Sequence, residues 1–221
     1  NPVYTPGTQD IEDGEVQLTL IAHGPAEDKS DNMMITISTP PTVMLGDDMA
    51  GCGDNEITIE EVTAENYASL LWTTSGDGAF ADATVMNPVY TPGAADLAAG
   101  TVTLTLTTEA MGSCEDASDD IVYTIHEIPT ATISGDEMIC DGTTATLSVD
   151  FTGMAPWTFM IENDYTIQAD ETPYILELNP AETTTYTIIS LSDGNGCQNE
   201  EVATSHTVEV VDGVSVSLIN D

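Results

Sequence analysis

The amino-acid sequence predicts an all-β chain of tandem β-sandwiches arranged end to end as a rod. Three observations carry this prediction. A long motif repeats within the 221 residues, apolar and polar residues alternate with the two-residue period of a strand, and each complete repeat holds one Trp at the same relative place.

Asn1-Pro2-Val3-Tyr4-Thr5-Pro6-Gly7 recurs letter for letter as Asn87-Pro88-Val89-Tyr90-Thr91-Pro92-Gly93, a spacing of 86. The match runs on through Asp10 with Asp96, Gly14 with Gly100, and Val16, Leu18 and Leu20 with Val102, Leu104 and Leu106. A diverged third copy is visible at Tyr186 and Ile188. Other landmarks recur at similar spacing: Pro41 with Pro129, Cys52 with Cys140, Trp72 with Trp157, and Cys114 with Cys197. These divide the chain into the end of one unit (1–40), two complete units (41–128 and 129–213) and the first strand of another (214–221). The junctions Thr39-Pro40-Pro41, Ile128-Pro129 and Asp212-Gly213 are too short for flexible tethers, which is the basis for expecting a rod.

In the central unit, runs rich in Thr, Val and Ile, broken by Gly, Asp and Asn, predict strands near 42–46, 56–62, 68–74, 84–90, 100–108 and 119–127. Helical periodicity is absent. The following unit reads as strands at 143–151 and 156–162, a turn at Asn163-Asp164, and strands at 174–178, 184–191 and 203–211. Six or seven short strands per unit, with a Trp on the third, describe an immunoglobulin-like sandwich. Trp72 and Trp157 are then core pins between the sheets rather than platforms for a ligand. Residues 1–40 supply the last three strands of a sandwich, too few to bury a two-sheet core, so preceding chain or another copy must complete them.

Composition narrows function. The chain has 39 acidic residues and one basic residue, Lys29, for a formal net charge of −38. Such a surface repels phosphate backbones and anionic membranes, so no nucleic-acid partner is expected. No apolar run reaches the ~18–20 residues of a membrane span, so direct membrane insertion is not expected either. The N-terminus carries neither a basic region nor an apolar signal core, and the chain reads as cut from something longer. His23, His126 and His206 fall in different units, with no Gly-x-Ser-x-Gly elbow or His-Glu-x-x-His pair, so catalysis is not expected.

Several segments resemble known repeats. Trp72-Thr73-Thr74-Ser75-Gly76-Asp77-Gly78, followed by residues 87–93 and by Thr101-Val102-Thr103-Leu104-Thr105-Leu106, resembles the polycystic-kidney-disease (PKD) type of immunoglobulin-like repeat. The central unit departs from the usual PKD pattern after its Trp, with Thr-Thr-Ser where an Asp-Phe pair is common. The next unit, through Pro129-Thr130-Ala131-Thr132-Ile133-Ser134-Gly135, Ile139-Cys140-Asp141-Gly142 and Asp193-Gly194-Asn195-Gly196-Cys197, is similar to the repeats of very long surface proteins of gliding Bacteroidota. These include the SprB-type gliding adhesins, substrates of type IX secretion. The resemblance implies an extracellular, cell-surface stalk or adhesin whose partners are neighbouring repeats of the same protein and a surface glycan or polymer. A subunit of an extracellular filament is an alternative.

The four cysteines suit disulfides in an oxidising compartment. One bridge per unit, Cys52 to Cys114 and Cys140 to Cys197, is the simplest pairing. Sandwich topology favours another. Cys52 precedes the second strand, at one pole, and Cys114 lies in the last hairpin, at the opposite pole, about 30 Å away along a strand. Poles of successive units abut in a tandem array, which brings Cys52 to Cys197 and leaves Cys114 and Cys140 for neighbouring repeats. None lies in a Cys-x-x-Cys pair. The same geometry gathers Asp47, Asp48, Asp54, Asp77 and Asp193 as candidate Ca2+ ligands, against the alternative of a solvated acidic face. Tyr67, Tyr165 and Tyr174 are the aromatic candidates for a glycan platform.

Overall fold

The computed structural model describes residues 2–162 and 166–212. The turn expected at Asn163-Asp164, Tyr165 and the start of a further unit at 214–221 lie outside them. The chain divides into two compact units, Asn1–Met49 with Asp54–Thr124, and Ala50–Gly53 with Ile125–Asp221. Both are built mainly of antiparallel β-sheet in immunoglobulin-like fashion, with one parallel pair, residues 138–140 against 209–211, in the second.

The first unit opens with helix α1 (Thr8–Asp13) and the hairpin β1 (Glu15–Ala22) and β2 (Lys29–Thr36), in which Leu18 faces Met33 and Val16 faces Ile35. Then come β3 (Thr42–Met44), β4 (Met49–Cys52, its last three residues counted in the second unit), β5 (Ile57–Thr58), β6 (Thr63–Glu65), β7 (Tyr67–Thr74), β8 (Ala79–Phe80), β9 (Val89–Thr91), α2 (Ala94–Ala99), β10 (Thr101–Ala110) and β11 (Ala117–His126, its last two residues counted in the second unit). β7, β10 and β11 lie side by side, with β4 along the outer edge of β11; β3 pairs β6, and β5, β9 and β8 form a third sheet. The alternation predicted from sequence does the packing: Val102, Leu104 and Leu106 of β10 and Ile121, Tyr123 and Ile125 of β11 are buried. Trp72, opposite Leu106, is buried with them and donates its indole N–H to the Val85 carbonyl at 3.1 Å.

The second unit stacks a sheet of β12 (Ala131–Gly135), β14 (Ala145–Phe151) and β17 (Tyr174–Leu178) on one of β13 (Met138–Cys140), β20 (Thr204–Val211), β18 (Thr184–Ser192), β15 (Trp157–Ile161) and β16 (Thr166–Ala169), with the short β19 (Gln198–Asn199) beside β18. Leu147, Val149, Phe159, Ile188 and Val208 fill the space between the sheets. Trp157 is buried there, stacked on Phe151, and donates to the Thr152 carbonyl at 2.8 Å.

Several local expectations need correction. Residues 8–13 and 94–99, read as non-helical, form two short helices at equivalent places in the repeat. Six residues are too few to display a 3.6-residue period; what makes these helices is their ends, as described below. The strand expected at 84–90 is confined to Val89–Thr91, because Asp82 Oδ1 accepts from both the amide and the hydroxyl of Thr84 and turns the chain. The strand expected at 56–62 stops at Thr58, and Glu61 adopts a positive φ of 59° before β6 begins. Residues 1–40, expected to supply three strands, contribute two strands and a helix among the described residues.

Candidate functional site

A chain with a single Lys and no Arg has almost no cation for a buried carboxylate, so N–H and O–H donors must hold it. Asp96, 2% exposed, is held in that way. It is the third residue of α2. Its Oδ2 accepts from the Tyr90 hydroxyl at 2.5 Å and from the amides of Gly93 and Gly78, each at 3.0 Å, while Oδ1 accepts from the Asp77 amide at 3.2 Å. Asp77 returns the contact, its Oδ1 accepting from the amides of Ala95 and Asp96 at 2.9 and 3.3 Å. The loop Gly76-Asp77-Gly78 and the start of α2 are thus locked by reciprocal carboxylates.

The glycines are sterically required. A Cβ on Gly76 would lie 1.5 Å from Asp96 Oδ1, and one on Gly78 would lie 2.3 Å from the Tyr90 hydroxyl oxygen. Burial, reinforced by Asp96, pushes the Tyr90 phenol up to about 12. Burial also works to raise Asp96, but the hydrogen bonds from Tyr90, Gly93, Asp77 and Gly78 outweigh it and hold the carboxyl below its usual range.

The N-terminal copy of the motif repeats the local half of this arrangement. The Tyr4 hydroxyl donates to Asp10 Oδ2, and the Gly7 amide donates to the same oxygen at 2.8 Å. Both helices end on a left-handed glycine, Gly14 at φ 74° and Gly100 at φ 69°. Exposure differs: Tyr4 is 40% exposed, whereas Tyr90 is fully buried.

Three of the five carboxylates proposed from sequence for Ca2+ accept hydrogen bonds from backbone amides. Asp48 Oδ1 accepts from the Val122 amide at 2.9 Å, and Asp77 closes the loop just described. Asp193, buried in the second unit, accepts from the amides of Met154, Asn195 and Cys197, each at 3.0 Å. Asp47 and Asp54 are exposed. Among the described residues, no three His, Cys, Asp or Glu side chains converge as metal ligands. The calcium expectation therefore has no assembled donor set in either unit taken by itself.

Cys52, at the end of β4, is bonded to Cys197, their Cα atoms 5.5 Å apart and 145 positions apart in sequence. Asp193 shapes the loop that presents Cys197, since it accepts that residue's amide while the Asp193 amide donates to the Cys197 carbonyl at 3.0 Å. The alternative bridges Cys52–Cys114 and Cys140–Cys197 are not formed. Cys114 is a free thiol, half-buried, with Sγ 3.4 Å from the Ser38 carbonyl oxygen; Cys140 is free and exposed.

The remaining candidates are dispersed. His23 pairs with Asp28 at 2.9 Å on the surface, and His206 Nε2 lies 3.1 Å from the Asp136 carbonyl oxygen, on β20. Tyr67 and Tyr174 are half-buried, the latter packed edge-on against Phe159. Among the described residues, no helix is long and apolar enough to cross a membrane. What composition hid was Asp96: in so acidic a chain an Asp reads as surface. The available signal was the pairing of Gly93-x-x-Asp96 with Gly76-Asp77-Gly78.

Solved structures share the fold. A fragment of three immunoglobulin domains of titin, an E-to-A variant, superposes with a TM-score of 0.50 at 12% identity, over 90% of this chain and 75% of that one. An I-band titin fragment gives 0.48 at 12% identity over the same shares. The N-terminal eight immunoglobulin domains of Down syndrome cell adhesion molecule give 0.48 at 10% identity, over 90% of this chain and 27% of that one. No family model and no curated protein matches the sequence. The titin superposition, with the strand content and sheet order, makes this an all-β chain of immunoglobulin-like sandwiches.

Proposed function

Taking that fold as the premise, we propose that the chain is a stalk or spacer segment of a long, secreted cell-surface adhesin. The observation that carries this is the Cys52–Cys197 bridge, which joins cysteines of two successive sequence repeats within the second compact unit. A bridge of that kind needs an oxidising, extracellular setting. On the chain-entropy model, closing so long a loop contributes roughly 5 kcal/mol. Trp72, Trp157, Tyr90 and Tyr123 are buried, and both indoles and the Tyr90 hydroxyl are spent within the fold, which suits a spacer better than a glycan platform.

Repetition extends the reading. Cys140 stands where Cys52 stands one repeat earlier, and Cys114 where Cys197 stands one repeat later, so Cys140 would pair into a following repeat and Cys114 into a preceding one. Attachment to a glycan or polymer, export by type IX secretion and a part in gliding follow from the sequence resemblance and form the finer level of the proposal.

The test is replacement of residues 41–213 in the parent protein by two unrelated immunoglobulin-like sandwiches. Surface attachment that survives the exchange is expected of a spacer; attachment lost while export continues would make these units the binding module. Mass spectrometry of non-reduced peptides, cut with a Glu/Asp-directed protease, should find Cys114 and Cys140 each joined to another repeat.

A further inference from the structure

We propose that Asn195 is a deamidation site held shut by Asp193 and by the Cys52–Cys197 bridge, and that reduction of the bridge opens it. Asn195-Gly196 is the one Asn-Gly pair in the chain. The inference concerns the second compact unit alone and is independent of the stalk proposal.

The reaction is an intramolecular acyl transfer. The Gly196 amide nitrogen gives up its proton to water and attacks the side-chain carbonyl carbon of Asn195; the new C–N bond closes a five-membered succinimide, and the side-chain nitrogen leaves as ammonia. Water then opens the ring at either carbonyl, leaving Asp or isoaspartate at position 195. Glycine favours the step because it sets no side chain beside the attacking nitrogen and lets the backbone turn into the ring geometry.

Both reacting groups are restrained in the folded unit. The Gly196 amide, the nucleophile, donates to the Asp193 carbonyl at 3.0 Å, with Gly196 at a φ of 83°. The Asn195 side-chain nitrogen, the leaving group, donates to Asp193 Oδ2 at 3.4 Å, and the Asn195 backbone amide donates to Asp193 Oδ1 at 3.0 Å. The base of the loop is closed twice, since the Asp193 amide donates to the Cys197 carbonyl and the Cys197 amide to Asp193 Oδ1, each at 3.0 Å. A proton engaged in a hydrogen bond is harder to remove, and a ring closes slowly when its atoms are held away from the attacking geometry.

Two devices therefore hold the loop. One is the Asp193 carboxylate, 7% exposed; the other is the covalent tie from Cys197 to Cys52. A thiol reductant removes the second. The product does not fit the loop it came from, because hydrolysis sets a new carboxylate beside that of Asp193, where like charges repel, and isoaspartate lengthens the backbone by a methylene. Deamidated chains then re-form the bridge poorly, so a passing exposure to reductant leaves a lasting covalent record.

The experiment incubates the full chain at neutral pH with and without a thiol reductant and follows the Asn-to-Asp mass change in the peptide that holds residue 195. The reduced chain is expected to lose Asn195 at least ~10-fold faster, as local opening of the loop becomes easier. Cys52→Ser, which leaves every residue of the loop in place, should match the reduced chain without any reductant. Equal rates in the oxidised and reduced states, with the amides of β18 and β20 still protected from exchange, overturn the proposal. So does an oxidised chain that deamidates as fast as a free peptide of residues 190–200 carrying Cys197→Ser. If reduction unfolds the whole unit, Asp193→Ala with its bridge intact decides: faster loss of Asn195 than in the unsubstituted oxidised chain supports the proposal, and an unchanged rate overturns it.

Discussion

Residues 1–22 and 87–108 share a motif, a helix and a strand, yet their side chains live in different solvents. In the second copy Tyr90 and Asp96 are sealed under the Gly76-Asp77-Gly78 turn; in the first, Tyr4 and Asp10 make the same contact in water. The cap, the left-handed glycine and the Tyr-to-Asp hydrogen bond are therefore local properties of the motif. Burial is what β7 and its turn add. A hydrogen bond exposed to water exchanges one partner for another at little net gain, whereas the same bond buried becomes costly to leave unmade.

The sharpest way to break this comparison is Asp96→Ala. It strips the acceptor from Tyr90 and three amides in the interior and should cost the first unit about 3–5 kcal/mol in urea unfolding. Asp10→Ala, in water, should cost less than about 1 kcal/mol. Equal losses would mean that the cover contributes nothing.

Titration separates the copies next. The phenol of Tyr90 is raised in the folded state, so its contribution is complete below the ordinary Tyr value near 10 and is lost as pH rises towards about 12. The loss should approach ~2 kcal/mol across that window and disappear in Tyr90→Phe. Asp96 is held low, so its contribution is complete above the usual carboxylate value near 4 and is lost as pH falls through the folded value. Asp96→Asn should flatten that acid limb of the urea midpoint.

Smaller effects sharpen the local part. Gly14→Ala and Gly100→Ala should each cost about 1 kcal/mol by forcing a Cβ into the left-handed region, read from amide exchange in β1 and β10 respectively. Near equality is the expected result, because the strain belongs to the backbone and not to what covers it. Tyr123→Phe should gain up to about 1 kcal/mol in thermal unfolding, since the buried Tyr123 hydroxyl has no hydrogen-bond partner among the described residues. In the N-terminal hairpin the equivalent register position is the apolar Ile35.

Sequence period made the longer strands β7, β10, β11, β14, β15, β17, β18 and β20 legible, because alternation such as that at Val102, Leu104 and Leu106 states burial directly, whereas short β4, β8, β12, β13, β16 and β19 went unread. It could not reveal α1 and α2, which owe their existence to Gly and Asp at particular ends rather than to any apolar stripe. The role of Asp96 depends on residues 76–78, and no local pattern announces that pairing across the fold. Strand limits such as Thr58 and Val89 were set by single turns at Glu61 and Asp82, whose conformations carry no periodic trace.

The Cys52–Cys197 bridge has one more consequence. Tension applied to the chain on either side passes through the sulfur atoms and bypasses the loop they close, which spans a sequence separation of 145. Extended, that loop would be on the order of 500 Å long. While the bridge is oxidised the loop carries no tension; once it is reduced, the folded residues between the two cysteines carry the load, and only their unfolding gives up this contour length.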